Sequence, residues 1–255
     1  MQNYTKPFFE SVLAQSLSSA REIVPIILEL IQPKRIVDVG CGNGDWLSAF
    51  RELGVEDVYG IDGDWVDVNR LKIPIERFSP VDLKYPFDLK DQFDLVISLE
   101  VAEHIPRESA EAFVDSLCRL GSIILFSAAI PHQGGTNHLN EQWPDYWARI
   151  FQMKGYVAID CIRKRVWSNE KVDWWYAQNM ILFVSEDCLK NNSKLMREHE
   201  LSQHNQLSLV HPKLYLDKVR RTNPATVLHV MLAGAKDTMK DNVSYFLRSI
   251  GVQKR

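Results

Sequence analysis

Ile36-Val37-Asp38-Val39-Gly40-Cys41-Gly42-Asn43-Gly44-Asp45 is a short apolar run that breaks into three glycines and then into a helix-forming stretch. A strand that ends in such a turn delivers a ligand to the carboxyl end of a parallel sheet, where open α/β folds bind their ligands. Glycine is needed there because backbone must approach the ligand closely and adopt positive φ. Eighteen residues beyond Gly44, at the end of the next apolar run Val58-Tyr59-Gly60-Ile61, stands Asp62. A carboxylate at that point can take both hydroxyls of a ribose.

Two adenosine cofactors fit a turn of this kind. A dinucleotide fingerprint, Gly-x-Gly-x-x-Gly, needs its third glycine at position 45, which is Asp45. A carboxylate there repels a pyrophosphate and blocks close helix packing. S-adenosyl-L-methionine carries no phosphate but has a sulfonium and an ammonium, and Asp38 just before the turn suits that charge. A nicotinamide cofactor is the disfavoured reading.

Further strand-like runs follow at Phe93–Leu99 and Ser122–Ser127, with helix-length segments at Asp45–Leu53 and Ser109–Leu120. That alternation implies a parallel sheet covered on both faces by helices. Ser11–Leu30 reads as an amphipathic helix (11–30) packing on this body, stopped by Pro33. Beyond Gly155 the beat changes. Tyr156–Val166 and Gln178–Ser185 are strand-like with a loop between them, an antiparallel hairpin closing the sheet edge. The expected organisation is a domain over 1–185 and a mostly helical extension over 186–255.

The 255 residues are 45% hydrophobic and 25% charged, enough for a full core and unlike a disordered or fibrous chain. The net charge of -3 provides no global basic field. From Glu186 onward 12 Lys/Arg face 7 Asp/Glu, so the extension carries +5 and the body -8. Solvated helices explain such a tail, and it also offers a surface for homo-oligomer formation. Cys41, Cys118, Cys161 and Cys188 are scattered without a Cys-x-x-Cys pair, which suits reduced thiols in a cytoplasmic protein. The most apolar early stretch, Ile23–Ile31, is interrupted by Pro25 and Glu29 and is too short for a membrane span.

Val37–Gly44 resembles motif I of the class I S-adenosylmethionine-dependent methyltransferases, and Gly60-Ile61-Asp62 resembles their acidic motif after the second strand. Val81-Asp82-Leu83 stands where they place an acid against the adenine amino group. Phe93–Ser98 is similar to their fourth-strand motif, Ser122–Ser127 to the fifth strand, and the terminal hairpin to their reversed edge strand. The resemblance spans about Pro25–Ser185. It implies a Rossmann-like, seven-stranded, mostly parallel sheet with a reversed edge strand. It also implies that Asp38, Gly40, Cys41 and Gly42 hold the methionine moiety and Asp62 with Gly63 the ribose. Val81, Asp82 and Leu83 would frame the adenine, and Ser98, Leu99 and Glu100 would line the pocket near the methyl group.

Methyl transfer is an in-line displacement, so the enzyme aligns the nucleophile and, for a hydroxyl, removes its proton. Candidates follow the fourth strand, in Ser98-Leu99-Glu100-Val101-Ala102-Glu103-His104. In a first helical turn Glu100, Glu103 and His104 would share a face able to grip Mg²⁺ or Mn²⁺. This pattern resembles the metal-dependent O-methyltransferases of ubiquinone biosynthesis and the small-RNA 3′-terminal 2′-O-methyltransferases. The second group implies a further ligand after the fifth strand, where His132 and His138 lie. In metal-free relatives Glu103 merely supports the loop, and His104 or His138 is then the general base.

Trp143, Tyr146, Trp147, Trp167, Trp174, Trp175 and Tyr176 cluster where this fold builds its acceptor pocket, although each also suits the core. Glu141, Asp145, Arg163, Arg165, Asn169, Asp173 and Gln178 offer polar contacts. The expectation is O-methylation of a small molecule such as a saccharide or glycosylated metabolite, with nucleic acid disfavoured as a partner and no membrane. An RNA ribose 2′-O-methyltransferase with divalent metal and a non-catalytic cofactor-binding scaffold are the alternatives.

Overall fold

The computed structural model of the protein describes residues 6–202 and 205–222. In chain order the elements are α1 (Lys6–Leu30), β1 (Arg35–Val39), α2 (Asp45–Glu52), β2 (Asp57–Asp62), β3 (Phe78–Pro80), β4 (Leu95–Leu99), α3 (Ala110–Leu120), β5 (Ile123–Ser127), α4 (Pro144–Met153), β6 (Tyr156–Ile159), α5 (Arg163–Val166), α6 (Trp174–Asn179), β7 (Ile181–Ser185), α7 (Glu186–Lys190), α8 (Ser193–Leu201) and α9 (Pro212–Thr222). The strands form one seven-stranded sheet in the order β3-β2-β1-β4-β5-β7-β6. β1 through β5 pair in parallel, and β7 runs antiparallel to both β5 and β6. The sheet is therefore Rossmann-like and mostly parallel, with the reversed strand in its closing edge hairpin.

Because successive strand side chains point to opposite faces, each apolar strand feeds two cores. Ile36, Leu95, Ile97, Leu125, Leu182 and Val184 pack with α1 and α2, through Ile23, Ile27, Leu47 and Phe50. Val37, Val39, Val96, Ile124, Phe126 and Phe183 pack with α3 and α4, through Phe113, Leu117, Trp147 and Phe151. Chain order runs outward from β1 to β3 and then returns to β4. The adjacent carboxyl ends of β1 and β4 are thus a topological switch point, the crevice where such sheets bind ligands.

The closing hairpin differs from the sequence expectation. β6 stops at Ile159, because Asp160 turns back to pair with Arg163 at the start of α5, and α6 occupies residues expected to be loop and strand. β3, three residues ending in Pro80, carries no alternating pattern to announce it. The chain divides into two compact units at His211–Pro212, and the described element of the second is α9. Residues 223–255, on which much of the expected self-association rests, lie outside the described residues. No helix among the described residues is long and apolar enough to cross a membrane.

Candidate active site

The glycine turn is held from behind and open in front. Gly40 and Cys41 both donate to the Ile61 carbonyl, at 2.8 and 3.1 Å, and Gly44 closes the turn onto the Cys41 carbonyl at 2.8 Å. Gly40 (φ 87°) has no alternative, since a Cβ there would stand 2.3 Å from Val101 Cγ2. At Gly42 (φ 52°) nothing among the described residues lies within 4 Å of a Cβ position, so the space above the turn is open. Cys41 packs its sulfur against Gly60, and burial, then the nearby Asp38 and Asp62, push its thiol well above the ordinary range.

Three buried acids surround this turn: Asp38, Asp45 and Asp62. Burial, followed by repulsion from Asp62 and Asp45, lifts the Asp38 carboxyl well above its ordinary range. Asp62 accepts from Gly42 N at 2.8 Å and Gly63 N at 2.7 Å; burial raises it while those two bonds work against the rise. Asp45 is buried against the Lys72 ammonium, which offsets part of its burial penalty. Lys72 thus neutralises the acid expected to repel a pyrophosphate. The preference for a cation rests instead on Asp38 and Asp62. Open space over Gly42 and two buried carboxyls fit the cationic methionine moiety and ribose of S-adenosylmethionine.

The remaining cofactor candidates divide. Ser98 is fully buried, its hydroxyl without a hydrogen-bond partner, and Leu99 is buried at the end of β4. Leu83 is buried and Val81 half-buried, with Val81 N tied to the Asp62 carbonyl at 2.7 Å. Asp82 is exposed and its carboxylate caps Lys84 N at 3.1 Å, its own turn.

Beyond β4 the backbone departs from the expected helix. Glu100 takes a left-handed conformation (φ 55°), and Ala102–His104 form only a 3₁₀ turn. Glu103 and His104 therefore meet His138, their ligand atoms all within 4.8 Å of one another, while Glu100 stays outside that cluster. This corrects the expectation that Glu100, Glu103 and His104 share a face. The Glu103 carbonyl accepts from Leu139 N and Asn140 N at 2.8 and 2.9 Å, and the His104 ring pairs with the Asn137 carbonyl at 3.3 Å. These bonds fasten the loop after β5 onto the turn after β4.

Glu103 is 1% exposed with Oε2 unpartnered. Burial and then Glu100 hold its carboxyl well above the ordinary range, whereas burial and then His138 lower His104. The His104 and His138 rings meet edge to face, centroids 4.9 Å apart. His138 Nδ1 lies 2.9 Å from Glu141 Oε1, and Glu141 also accepts from His132 N (2.7 Å) and Gly134 N (2.8 Å). Those bonds hold its carboxyl below the ordinary range against the opposing effect of burial. His132 contributes backbone; its side chain makes none of these bonds.

Glu141, expected as an acceptor contact, is instead the orienting partner of His138, and the spacing His-x-x-Glu is the signal that could have found it. Gln133 and Asn179, which carry no motif, form an amide network with Gln178 and Glu100. The other polar candidates are engaged elsewhere: Arg163 with Asp160, Arg165 with Glu29 and Glu198, Asn169 with Glu22, Asp173 with Ser19, Asp145 with Ser208. Trp147 and Tyr176 are core, packed on Phe126 and Trp46. Trp143 is 41% exposed.

A family model described as a methyltransferase domain matches residues 14–175. The chain belongs to that family. It is a class I S-adenosylmethionine-dependent methyltransferase, an enzyme whose sheet order and glycine turn are those just described. The methyltransferase is similar to magnesium protoporphyrin IX methyltransferase (ChlM) from Synechocystis PCC 6803 with bound SAH: 19% identity over 73% of this chain and 90% of that one, TM-score 0.52. It is also similar to SAM-bound CalS10, an amino pentose methyltransferase from Micromonospora echinaspora: 14% identity over 72% and 99%, TM-score 0.50. The methyltransferase domain of bacterial CtHen1 aligns at 20% identity over 67% and 98%, TM-score 0.49. At these identities the likeness to the first two shows the fold alone. Comparison with curated protein sequences finds no match.

Proposed function

We propose that this methyltransferase methylates an oxygen of a small-molecule acceptor, a saccharide or glycosylated metabolite, with His138 as general base. The observation that carries the reading is the Glu141–His138 pair. Glu141 takes the Nδ1–H of the imidazole at 2.9 Å, which fixes the tautomer and leaves Nε2 as the basic nitrogen. S-adenosylmethionine, when bound, supplies the electrophilic methyl group. Asp38 and Asp62 would hold its methionine and ribose ends, Ser98 and Leu99 would line its reacting end, and His138 would take the acceptor's hydroxyl proton.

Trp143, with Asp145, Arg149, Ser208 and Val210, lines a shallow depression of about 470 Å³ that begins two residues beyond Glu141. An open indole among mixed charges suits the alternating C–H and hydroxyl faces of a sugar better than a wholly apolar ring. The acidic body disfavours a polyphosphate acceptor.

A divalent cation is the second reading, on a separate observation. The buried Glu103 Oε2 has no partner, and a carboxylate oxygen of Glu103 lies within 4.8 Å of ligand atoms on His104 and His138. Mg²⁺ or Mn²⁺ there would lower the pKa of a coordinated hydroxyl.

The test is transfer of labelled methyl from S-adenosylmethionine to a panel of hydroxylated and glycosylated compounds, with RNA as a comparator. Methyl on oxygen of a small acceptor, falling about 10²–10⁴-fold in His138→Gln with unchanged S-adenosylhomocysteine affinity, is expected. Wild-type turnover in His138→Gln overturns the base, and salt-sensitive transfer to RNA alone overturns the acceptor class. Loss of Mn²⁺ binding in Glu103→Ala, with turnover dependent on the ion, would establish the second reading.

A further inference from the structure

Glu100 closes a hydrogen-bonded assembly that the reaction scheme above does not use. Its backbone N–H is shared between the Ser127 carbonyl (3.0 Å) and hydroxyl (3.1 Å), which settles the left-handed residue against β5. Its carboxylate accepts one amide on each oxygen: Gln133 Nε2 on Oε2 and Asn179 Nδ2 on Oε1, both at 3.1 Å. The orientation of those amides is not free. Gln133 Oε1 accepts from Ile130 N (3.2 Å), Gln178 Nε2 (3.1 Å) and Asn179 Nδ2 (3.0 Å). Asn179 Oδ1 accepts from Gln178 Nε2 at 2.9 Å, and Gln178 Oε1 accepts from His211 N at 2.8 Å. A backbone N–H at Ile130 fixes which atom of Gln133 is oxygen. Both groups facing Glu100 must therefore be donors, and only a residue with two acceptor oxygens completes the set.

We infer that Glu100 is a positioning residue: its carboxylate closes an amide cradle that fixes the 130–141 loop, which carries His138, over the carboxyl end of β4. Each of its oxygens already accepts an amide N–H, and it stands outside the Glu103–His104–His138 cluster, so its contacts serve the cradle. Four segments remote in sequence meet here: the end of β4, the loop after β5, the end of α6 and the stretch of chain at His211. Gln133, Gln178 and Asn179 are buried and Glu100 is half-buried, so a mismatch among them costs more than it would in open water. The catalytic consequence rests on the proposed role of His138; the cradle itself does not.

The hydrogen-bond pattern prescribes its own test. Glu100→Gln puts an N–H against the amide of Gln133 or Asn179. Combining it with Gln133→Glu restores every pairing: the new amide at position 100 donates to one oxygen of the new carboxylate at position 133, whose other oxygen keeps its three donors. Glu100→Gln with Asn179→Asp has the same net charge and the same exchange of one amide for one acid, but it sets the new carboxylate at position 179 against Gln133 Oε1. Backbone exchange across 130–141 is read by mass spectrometry, with S-adenosylhomocysteine and Mn²⁺ affinities by calorimetry. Glu100→Gln is expected to speed exchange about tenfold or more, the Gln133→Glu pair to return it to near the wild-type rate, and the Asn179→Asp pair to leave it fast. S-adenosylhomocysteine affinity should stay within about threefold throughout, an order-of-magnitude allowance for a change outside the glycine turn. If Glu100→Gln alone does not fold, the two paired variants still decide between match and mismatch. Unchanged exchange in Glu100→Gln, or no recovery in the Gln133→Glu pair, overturns the inference. So does Mn²⁺ binding that is lost in Glu100→Gln and not restored by the pair. Failure of the His138 assignment reads differently: His138→Gln keeps its turnover while the exchange pattern still holds.

Discussion

Asp62→Ala isolates the acid at the end of β2. In the folded protein its carboxylate accepts backbone N–H bonds from Gly42 (2.8 Å) and Gly63 (2.7 Å), leaving lone pairs for the two ribose hydroxyls. Hydrogen bonds to a charged group contribute about 1.5–3 kcal/mol each. Losing the two ribose bonds at the lower figure costs about 3 kcal/mol of binding, a roughly 150-fold rise in Kd. The protein loses less, since water entering the vacated space rehydrates the freed N–H groups. A cost of about 1.5 kcal/mol would lower Tm by about 3–6 °C in a chain of this size. Calorimetric titration of S-adenosylhomocysteine, run well below Tm, measures the first quantity and thermal melting the second. Asp82→Ala is the control: that carboxylate is exposed and caps Lys84 N, so its removal should cost less than about fivefold, within one weak exposed hydrogen bond. A folded Asp62→Ala protein that binds within about threefold of wild type would refute the ribose assignment and, with it, the reading of the glycine turn.

Gly40→Ala places a Cβ 2.3 Å from Val101 Cγ2 at φ 87°; left-handed strain and overpacking together predict a loss of about 2–4 kcal/mol, read by urea unfolding, with partial recovery in Gly40→Ala/Val101→Ala. Glu103→Gln tests the buried acid. Its folded pKa stands well above the ordinary 4.5, so the stabilisation from its protonated form is complete below that value and is lost as pH rises through the folded pKa. Glutamine does not ionise, so the variant should gain Tm over wild type as pH rises above the ordinary carboxyl value, and a pH-independent difference would contradict this. Glu141→Gln removes the anion that orients His138 and should lower kcat about 10²-fold or more, with cofactor affinity unchanged.

The cofactor end of the site is legible in the sequence because its constraints are local. Strand, glycines and acid lie within 27 residues, from Ile36 to Asp62, and each is dictated by backbone conformation or by the charge of the ligand. Lys72 is not legible: it reaches Asp45 through a long excursion after β2, and nothing in its spacing declares that contact. Glu100 misleads for a related reason. Glu-x-x-Glu-His has helical spacing, but a left-handed Glu100 held by Ser127 turns the first carboxylate away from the other two groups. The closing hairpin reads too long because Tyr156–Val166 is rich in β-branched residues, whereas the Asp160–Arg163 pair stops the strand and starts a turn of helix. Among the aromatics, composition cannot separate a buried Trp147 from an exposed Trp143; only the packing of α4 on Phe126 does so.

The distribution of charge around the sheet also bears on how such a site would favour the reaction. Methyl transfer discharges a sulfonium, so an anion placed against the sulfur stabilises the reactant more than the transition state and slows the step. The acids suited to a cation, Asp38 and Asp62, stand at the ends of β1 and β2, where they would serve the parts of the cofactor that keep their charge or hydroxyls throughout. β4, which the proposed mode sets at the reacting end, closes with Ser98 and Leu99, which carry no charge. The next carboxylate, Glu100, has both oxygens turned onto amide N–H groups. In that binding mode the strength would fall on the unreactive parts of the ligand, and the side chains ending β4 would leave the reacting end uncharged.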